Sequence, residues 1–566
     1  MRYIDQKSSS HIFMIKLSIV ICFAVIASRL FFLQVIKHDH FQSKGERNFI
    51  RLHHVPAPRG NIFDQHGTLL VTNQPITHLY WKGSGFSTLT KQQKEIINFI
   101  EITLSSEEYA HIIPFGKIKH AEKYGKEVRI GTSLTFDQLS KISEQCSDNQ
   151  NIIFKTTFER FYPHQTVACH LLGYLNNLQS GKMGLEHLFE NKLQGQPGSI
   201  SYIINSVGKQ LSVQDHTPEQ SGEDIITTLD LRLQQEAEKL MPPEIAGAFI
   251  LMDPKTGAIR TLVSRPSFDP TIFLKPLTPE AWDEIQKTKP FLNRAFDACY
   301  PPASPFKLVT MSAALETGII QPEDRCNCRG YTTFRDRKYY CNRRTGHGVL
   351  DMKEAIAHSC NIPCFAIAQK MPIDTLARYA EKFGLGTKTN IIFNEKMGVV
   401  PSNKWKIKNK GERWWTGETL SASIGQSFLL ATPIQMACMI SSVFTGYLVT
   451  PRIVEQTPVV TRPLEIQKKT IAFLREGMKS VVTTGTGIRI KRIRDITIYA
   501  KTGTAQTCSK TDDGKISEDH AWFVAHFQYR EHEPLVLVIL LEHAGSSSNA
   551  TRVAEQFLKR YKIVMQ

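Results

Sequence analysis

A serine stands three residues ahead of a lysine in Ser304-Pro305-Phe306-Lys307, within the run "YPPASPFKLVTMSAALETG" from Tyr300 to Gly318. Two prolines stop the preceding chain, and the periodicity that follows is helical. Residues i and i+3 share a helix face, so this spacing brings a hydroxyl and an amine within reach of each other. A serine hydroxyl is a poor nucleophile until a base takes its proton. A lysine in a partly desolvated site is neutral enough to be that base. The first turn of a helix also aims N–H groups at whatever the serine attacks, where an oxyanion would form. On its own the pattern is weak, because Ser206-Val207-Gly208-Lys209 has the same spacing.

Ser359-Cys360-Asn361 and Lys501-Thr502-Gly503 also occur in the chain. With Ser-x-x-Lys they form the set found in penicillin-binding proteins and class A β-lactamases. Each has a decoy, Ser147-Asp148-Asn149 and Lys255-Thr256-Gly257. Context separates them. Lys255-Thr256-Gly257 falls in a tight turn between "GAFILM" (247–252) and "AIRTLVS" (258–264), which read as a hairpin. Lys501-Thr502-Gly503 follows the strand "DITIYA" (495–500), and Ser359-Cys360-Asn361 lies among helices. Only Ser304, Ser359 and Lys501 give a helix start, a helical insert and a strand edge in that order.

These residues need a scaffold. A helix-rich stretch covers roughly 295–480, and strands return with "AWFVAHF" (521–527) and "LVLVILLEH" (535–543). The chain closes with "TRVAEQFLKRYKIV", an amphipathic helix with Val553, Phe557, Leu558 and Tyr561 on one face. Strands, a helical insert, strands again and a last helix imply one antiparallel sheet closed from both ends of the segment. Earlier, "VPAPRGNIFDQHGTLLVTN" (55–73) reads as an extended segment and a turn between two strands. "GKMGLEHLFENKLQGQPG" (181–198) reads as a short helix closed by glycines.

Ile12 to Ile36, "IFMIKLSIVICFAVIASRLFFLQVI", is long enough as a helix to cross a hydrocarbon core of about 30 Å. Lys16 and Arg29 lie near its ends, where they can snorkel. A cleaved signal peptide, with Val25-Ile26-Ala27 as its cleavage box, is the competing reading. Apolar residues resume straight after Arg29, which favours an uncleaved anchor. A long chain behind a single early span is expected to be exported.

The 566 residues suggest two to four domains. Hydrophobic content of 41% and charged content of 22% fit a folded protein. A net charge of +16 suits an anionic partner: nucleic acid, a membrane surface or an anionic substrate. The basic residues are scattered and no zinc-finger or RNA-recognition signature appears, so no nucleic-acid partner is expected.

From Ile12 onward the chain resembles the class B penicillin-binding proteins, membrane-anchored peptidoglycan transpeptidases. The N-terminal resemblance lies in "APRGNIFDQHGTLL" and "GLEHLFENKLQGQPG". The catalytic resemblance lies in "MDPKTGAIRTLVSRPSFDP", "NRAFDACYPPASPFK", "SIGQSFLLATPIQMA" and "AKTGTAQT". Ala303 and Ala500 stand where the family usually has glycine, and both are expected only to tune geometry. No glycosyltransferase module is visible ahead of Val55, unlike the bifunctional class A. The resemblance implies an α+β protein with a cytoplasmic tail (1–11), a transmembrane helix (12–36), an elongated, irregular pedestal of dimerisation type (37–215) and a transpeptidase domain (216–566). That last domain would have the penicillin-binding/β-lactamase-like fold: an antiparallel sheet with helices on both faces and an all-helical part.

The resemblance also implies roles. Ser304 attacks the D-Ala-D-Ala carbonyl of a stem peptide, and Lys307 is its base. Ser359 and Lys501 relay a proton to the departing D-alanine, and Asn361 holds the peptide amide. Thr502 and Thr504, beside Gly503, take the terminal carboxylate. Backbone N–H groups of Ser304 and Thr504 form the oxyanion hole, and a second strand's amine resolves the acyl-enzyme.

Five of the eleven cysteines crowd between Cys326 and Cys364, with His347 among them. A Cys₃His set would close a tetrahedral zinc site, structural because no position stays open for water. A disulfide in an oxidising periplasm and simple buried thiols are the alternatives. The elongation branch, penicillin-binding protein 2, has "GHG" before the central serine, and some members carry a metal there. "TGHG" at 345–348 and "YPPASPFK" make the chain resemble that branch. The resemblance favours Cys328 over Cys326 as first ligand, with Cys341, His347 and Cys360. It also implies a membrane polymerase and shape-determining scaffold proteins as partners, at the inner membrane with a periplasmic catalytic domain.

Rival readings are a division-specific transpeptidase, a D,D-carboxypeptidase or β-lactamase with water as acceptor, and a silent β-lactam sensor or wall-assembly scaffold. Three further features are expected to be structural: Arg489, Lys491 and Arg492 on a solvated strand face, Trp414-Trp415, and His520.

Overall fold

The computed structural model of the 566-residue chain describes residues 5–86, 88–105, 113–147, 149–204, 210–274, 279–391, 394–507 and 517–566. The decoy at Ser206–Lys209, Asp148 of the second decoy, Cys508 and the first four residues of the tail lie outside the described residues.

The chain folds into two compact units, each discontinuous in sequence: 59–73, 160–194 and 223–566 form the larger, and 1–58, 74–159 and 195–222 the smaller. Segments 59–73 and 160–194 thus pack with the C-terminal part. Buried charge ties the two segments to each other. Arg59 Nη2 lies 2.9 Å from Glu186 Oε2 and 2.8 Å from Glu190 Oε2, and Arg160 Nε lies 2.6 Å from Glu186 Oε1. Removing one partner of such a set strands a charge in a dry site.

The larger unit is built on a five-stranded sheet. Helix α1 (Leu231–Leu240) leads into the hairpin β1 (Gly247–Met252) and β2 (Ile259–Arg265). Helices α2 (Lys307–Glu316), α3 (Met352–Ala357), α4 (Ile362–Lys370), α5 (Pro433–Thr445) and α6 (Lys468–Thr483) follow. Strands β3 (Ile496–Ala505), β4 (His520–Tyr529) and β5 (Leu535–Leu541) then return, and α7 (Ser547–Val564) closes the chain. The order across the sheet is β2-β1-β5-β4-β3, antiparallel throughout, which leaves β3 at an edge.

Strands β1 and β5 are buried at every position, which is why they read as unbroken apolar runs. Period-2 alternation survives in what each face touches. Ala248, Ile250 and Met252 join the core of the helical insert, whereas Phe249 and Leu251 meet Phe557, Leu558 and Tyr561 of α7. Helices therefore cover both faces. Asp253 Oδ1 accepts the N–H groups of Lys255 (2.8 Å) and Thr256 (3.2 Å), so Lys255-Thr256-Gly257 is a turn, as its context implied.

The insert is not purely helical. Arg325–Cys328 pairs with Gly348–Asp351, and Tyr331–Phe334 pairs with Arg337–Tyr340. Arg489, Lys491 and Arg492 lie in a 3-10 turn, not on a strand face, and Arg489 pairs with Glu555. Trp414 donates from Nε1 to Thr419 Oγ1 at 2.8 Å, while Trp415 is exposed.

In the smaller unit, Trp81, Ile97, Ile100, Ile118, Ile130 and Ile142 form one core. Strands Ile50–Val55, Gly198–Ile204 and Gln210–Thr217 make a separate three-stranded sheet. Its first helix, Asp5–Phe31, runs into a π-turn over Phe32–Ile36. Ile12–Ile36 is long and apolar enough to cross a membrane.

Candidate active site

Ser304, Ser359, Asn361, Thr502, Gly503 and Thr504 line one cavity of about 410 Å³. Lys307 and Lys501 lie beneath it, 1% and 0% exposed. The chain brings these positions together from α2's leading turn, the α3–α4 turn and the edge strand β3.

Ser304 does not start an α-helix. It opens a 3-10 turn, Ser304–Phe306, and α2 begins at Lys307. The prolines and the residue before it explain the tighter turn. Ala303 has φ +51° and ψ −144°, a conformation that favours glycine. Its N–H donates to Gly425 O at 2.9 Å. A Cβ on Gly425 would lie 2.1 Å from Ala303 O, so the close approach demands glycine there.

Lys307 Nζ donates to Ser359 O (2.6 Å), Asn361 Oδ1 (2.6 Å) and Ser359 Oγ (3.2 Å). Among the described residues no hydrogen bond joins it to Ser304 Oγ. The amine reaches across to the α3–α4 turn, where Ser359 sits at φ +56°. Lys501 Nζ donates to the same Ser359 Oγ at 2.8 Å and to Thr502 O at 3.0 Å. One hydroxyl therefore bridges two buried amines. No carboxylate offsets either charge in these contacts. Burial, opposed by nearby thiols, holds Lys307 below the usual lysine range. Burial, reinforced by Lys307, holds Lys501 well below it.

Lys501-Thr502-Gly503 lies inside β3 rather than after a strand, paired with Val524, Phe523 and Trp522. The edge position leaves its other side unpaired within the sheet. Gly503 permits the approach of Ser304's turn, since a Cβ there would lie 2.5 Å from Pro305 Cδ. Thr502 Oγ1 is 2.6 Å from Thr486 Oγ1, and Thr504 Oγ1 accepts the Ser547 N–H at 3.2 Å. Asn361 spends its amide locally, donating from Nδ2 to Tyr340 O at 3.0 Å. Sequence reasoning missed Thr486, Tyr340 and Arg344, which also line the cavity. None belongs to a short pattern, and only the fold brings them to it. His520, half-buried, accepts His543 N–H on Nδ1 at 3.1 Å.

A second cluster adjoins this one through Cys360. Donor atoms of Cys328, Cys341, His347 and Cys360 all lie within 4.8 Å of one another. Cys341 Sγ is 3.7 Å from Cys360 Sγ, and His347 Nδ1 is 3.5 Å from Cys328 Sγ and 3.6 Å from Cys341 Sγ. Tetrahedral ligands on zinc at about 2.3 Å (sulfur) and about 2.0–2.1 Å (nitrogen) stand about 3.5–3.8 Å apart. The residues fit such an ion. All four sit in one pocket of ribbon and turn, whereas Cys326 lies half-buried outside the set. These cysteines are free thiols, as are Cys22, Cys146, Cys169, Cys299 and Cys438.

Fold and site define a transpeptidase. The chain belongs to the penicillin-binding proteins: residues 247–560 match the penicillin binding protein transpeptidase domain, and residues 54–227 the penicillin-binding protein dimerisation domain. It is 29% identical to the peptidoglycan D,D-transpeptidase MrdA of Acinetobacter baumannii, over 95% of this chain and 85% of that relative. It is similar to the penicillin-binding protein PBP2 in complex with MreC from Helicobacter pylori, with TM-score 0.76 and 25% identity, over 91% of this chain and all of that one. It also matches a chain from a study of polymerization and crosslinking by a peptidoglycan synthase complex, with TM-score 0.74 and 26% identity, over 97% of each.

Proposed function

We propose that this peptidoglycan D,D-transpeptidase works in wall elongation through a serine acyl-enzyme, with Ser304 as nucleophile and Lys307 as its base. The observation that carries the reading is the single Ser359 hydroxyl held between two buried lysines beside Ser304. A neutral amine has two hydrogens and one lone pair. Once neutral, Lys307 keeps its two shorter donations, to Ser359 O and Asn361 Oδ1, gives up the longer one to Ser359 Oγ, and has its lone pair left for a hydroxyl proton.

Ser304 Oγ adds to the penultimate D-alanine carbonyl, and its proton passes to Lys307. The backbone N–H groups of Ser304 and Thr504 hold the oxyanion, and Thr502 and Thr504 hold the terminal carboxylate. The C–N bond breaks as Ser359, backed by Lys501, delivers a proton to the leaving D-alanine nitrogen. An amine from a second strand then adds to the ester and releases Ser304.

Cys328, Cys341, His347 and Cys360 would hold one structural zinc, fixing the turn that carries Ser359 and Asn361. Ile12–Ile36 anchors the protein in the inner membrane, with the catalytic unit in the periplasm. A membrane glycosyltransferase polymerase and an MreC-like scaffold are its partners. This rests on the similar chains from a PBP2–MreC complex and from a synthase complex.

Product analysis tests the chemistry. Full-length protein in detergent, given a pentapeptide donor and an amine acceptor, is expected to form a cross-linked peptide. Tetrapeptide and free D-alanine alone would mean a carboxypeptidase. A tagged copy is expected along the side wall of growing cells, and septal recruitment alone would mean a division enzyme. Elemental analysis should find one zinc per chain, and a Cys341–Cys360 disulfide would contradict the metal.

A further inference from the structure

The segment 329–344 carries six cations, Arg329, Arg335, Arg337, Lys338, Arg343 and Arg344, against one carboxylate, Asp336. All six are exposed. None of them forms an ion pair among the described residues. Elsewhere in the same unit Arg59, Arg160, Arg294, Lys406 and Arg452 are all ion-paired. Concentrated, unpaired positive charge repels itself, and an anionic ligand would relieve it.

The hairpin within this segment fixes two of these cations, Lys338 and Arg344, against one face, while Arg337 lies on the other side over Tyr339. Tyr331 pairs with Tyr340, and Thr333 with Lys338, so these four residues share one side. Lys338 Nζ stands 4.9 Å from the centre of the Tyr331 ring, and Arg344 Cζ stands 3.8 Å from that of Tyr340. Both tyrosines are exposed. The opposite side is anchored: Tyr339 donates to Gly417 O at 3.3 Å and meets the Phe365 ring edge-on at 5.6 Å. Cys341 N–H donates to Gly330 O at 2.9 Å and closes the base of the hairpin. The cationic side is thus held in place before any ligand arrives.

Its position decides which anion. Tyr340, Asn342 and Arg344 line the same cavity as Ser304. Asn361 Nδ2 donates to Tyr340 O, which links this wall to the turn bearing Ser359. A peptide whose scissile end lies on Ser304 would run its remaining residues past a cation-bearing tyrosine ribbon.

We propose that the ribbon binds a side carboxylate of the stem peptide, one that stays on the peptide after the terminal D-alanine leaves, and that Arg344 is the residue that selects for it. The proposal rests on the transpeptidase reading of the site. The guanidinium offers a planar fork that matches a carboxylate, and Tyr340 fixes its plane. The remaining cations draw the anionic strand toward the cavity and are screened by salt.

The test uses full-length protein in detergent, fluorescent penicillin and two stem peptides that differ only in amidation of the side carboxylates. Each peptide is scored by the concentration that halves the rate of penicillin acylation. The acidic peptide should compete about tenfold better than its amidated twin. Arg344→Gln should erase that difference and Arg344→Lys should restore part of it, each competition being scored against the same variant's own uninhibited acylation rate. Equal competition by the two peptides against the parent protein would overturn the proposal. So would a preference that survives Arg344→Gln, or one that Arg344→Lys does not restore at all. No acylation of the parent protein would instead overturn the enzyme reading beneath it.

Discussion

Gly503→Ala puts one methyl group between the edge strand and the turn that carries the nucleophile. The added Cβ would lie 2.5 Å from Pro305 Cδ and 3.3 Å from both Pro305 Cγ and Trp522 Cβ. Carbon atoms sit comfortably at about 3.5–4.0 Å, so the proline ring must retreat by about 1 Å. A proline ring cannot swing aside on a side-chain torsion as a longer chain can. Trp522 is fully buried and donates from Nε1 to Pro301 O at 3.0 Å, which blocks the other direction. The 3-10 turn moves, and Ser304 moves with it. Overpacking of this kind costs about 1–3 kcal/mol of stability. A misplacement of about 1 Å at a reacting atom costs about 10² in rate. Acylation by fluorescent penicillin should therefore fall about 100-fold while thermal unfolding stays cooperative. Gly116→Ala, where a Cβ meets nothing within 4 Å, is the control and should change neither reading. If Gly503→Ala acylates within about threefold of the parent, the strand does not set the position of the serine.

Four further outcomes follow from the same geometry. Ala303→Gly should leave stability near its parent value: relief of about 1–3 kcal/mol of backbone strain offsets a lost methyl and a looser unfolded chain, each about 1 kcal/mol. Ala313→Gly in α2, equally buried, should lose about 2 kcal/mol in denaturant unfolding, and equal losses at both sites would refute the strain. Lys307→Arg keeps a charge that never titrates and should lower acylation by about 10²–10⁴ at every pH, while the parent rate should rise with pH and level off below the ordinary lysine range. Because Lys501 titrates lower folded than unfolded, its cost to stability is full below the folded value and gone above about 10.4; Lys501→Met should lose acylation yet flatten the rise of stability with pH. Chelation, or Cys341→Ser, should lower the unfolding temperature and slow acylation together, since Cys360 adjoins Ser359 and Asn361; unchanged values would mean the turn needs no metal.

Much of this architecture was legible because its signals are local. β1 and β5 carry unbroken apolar runs, the "DPKTG" turn carries its own Asp253 cap, and α7 shows one apolar face. Ser304, Ser359 and Lys501 emerged because three short patterns agree in order and context, although helix start and strand end were each misplaced by a few residues. Hydrophobic pattern does not mark where that strand ends, since β3 continues past Lys501 to Ala505 on pairing with β4. Long-range geometry was not legible. Nothing near Lys307 signals that its amine would turn to Ser359 and Asn361 rather than to Ser304. The same holds for Arg59 meeting Glu186 and Glu190, and for Arg344 lying over Tyr340 at the cavity. Those contacts depend on chain separations that periodicity does not encode.

The central claim is that Ser304 becomes acylated. Full-length protein in detergent, with and without Ser304→Ala, would be incubated with fluorescent penicillin, denatured and resolved by electrophoresis and mass spectrometry. The account predicts one covalent adduct on the parent, mapped to the peptide bearing Ser304, and none on the folded variant. Adduct on Ser304→Ala, or none on folded parent protein, would contradict it.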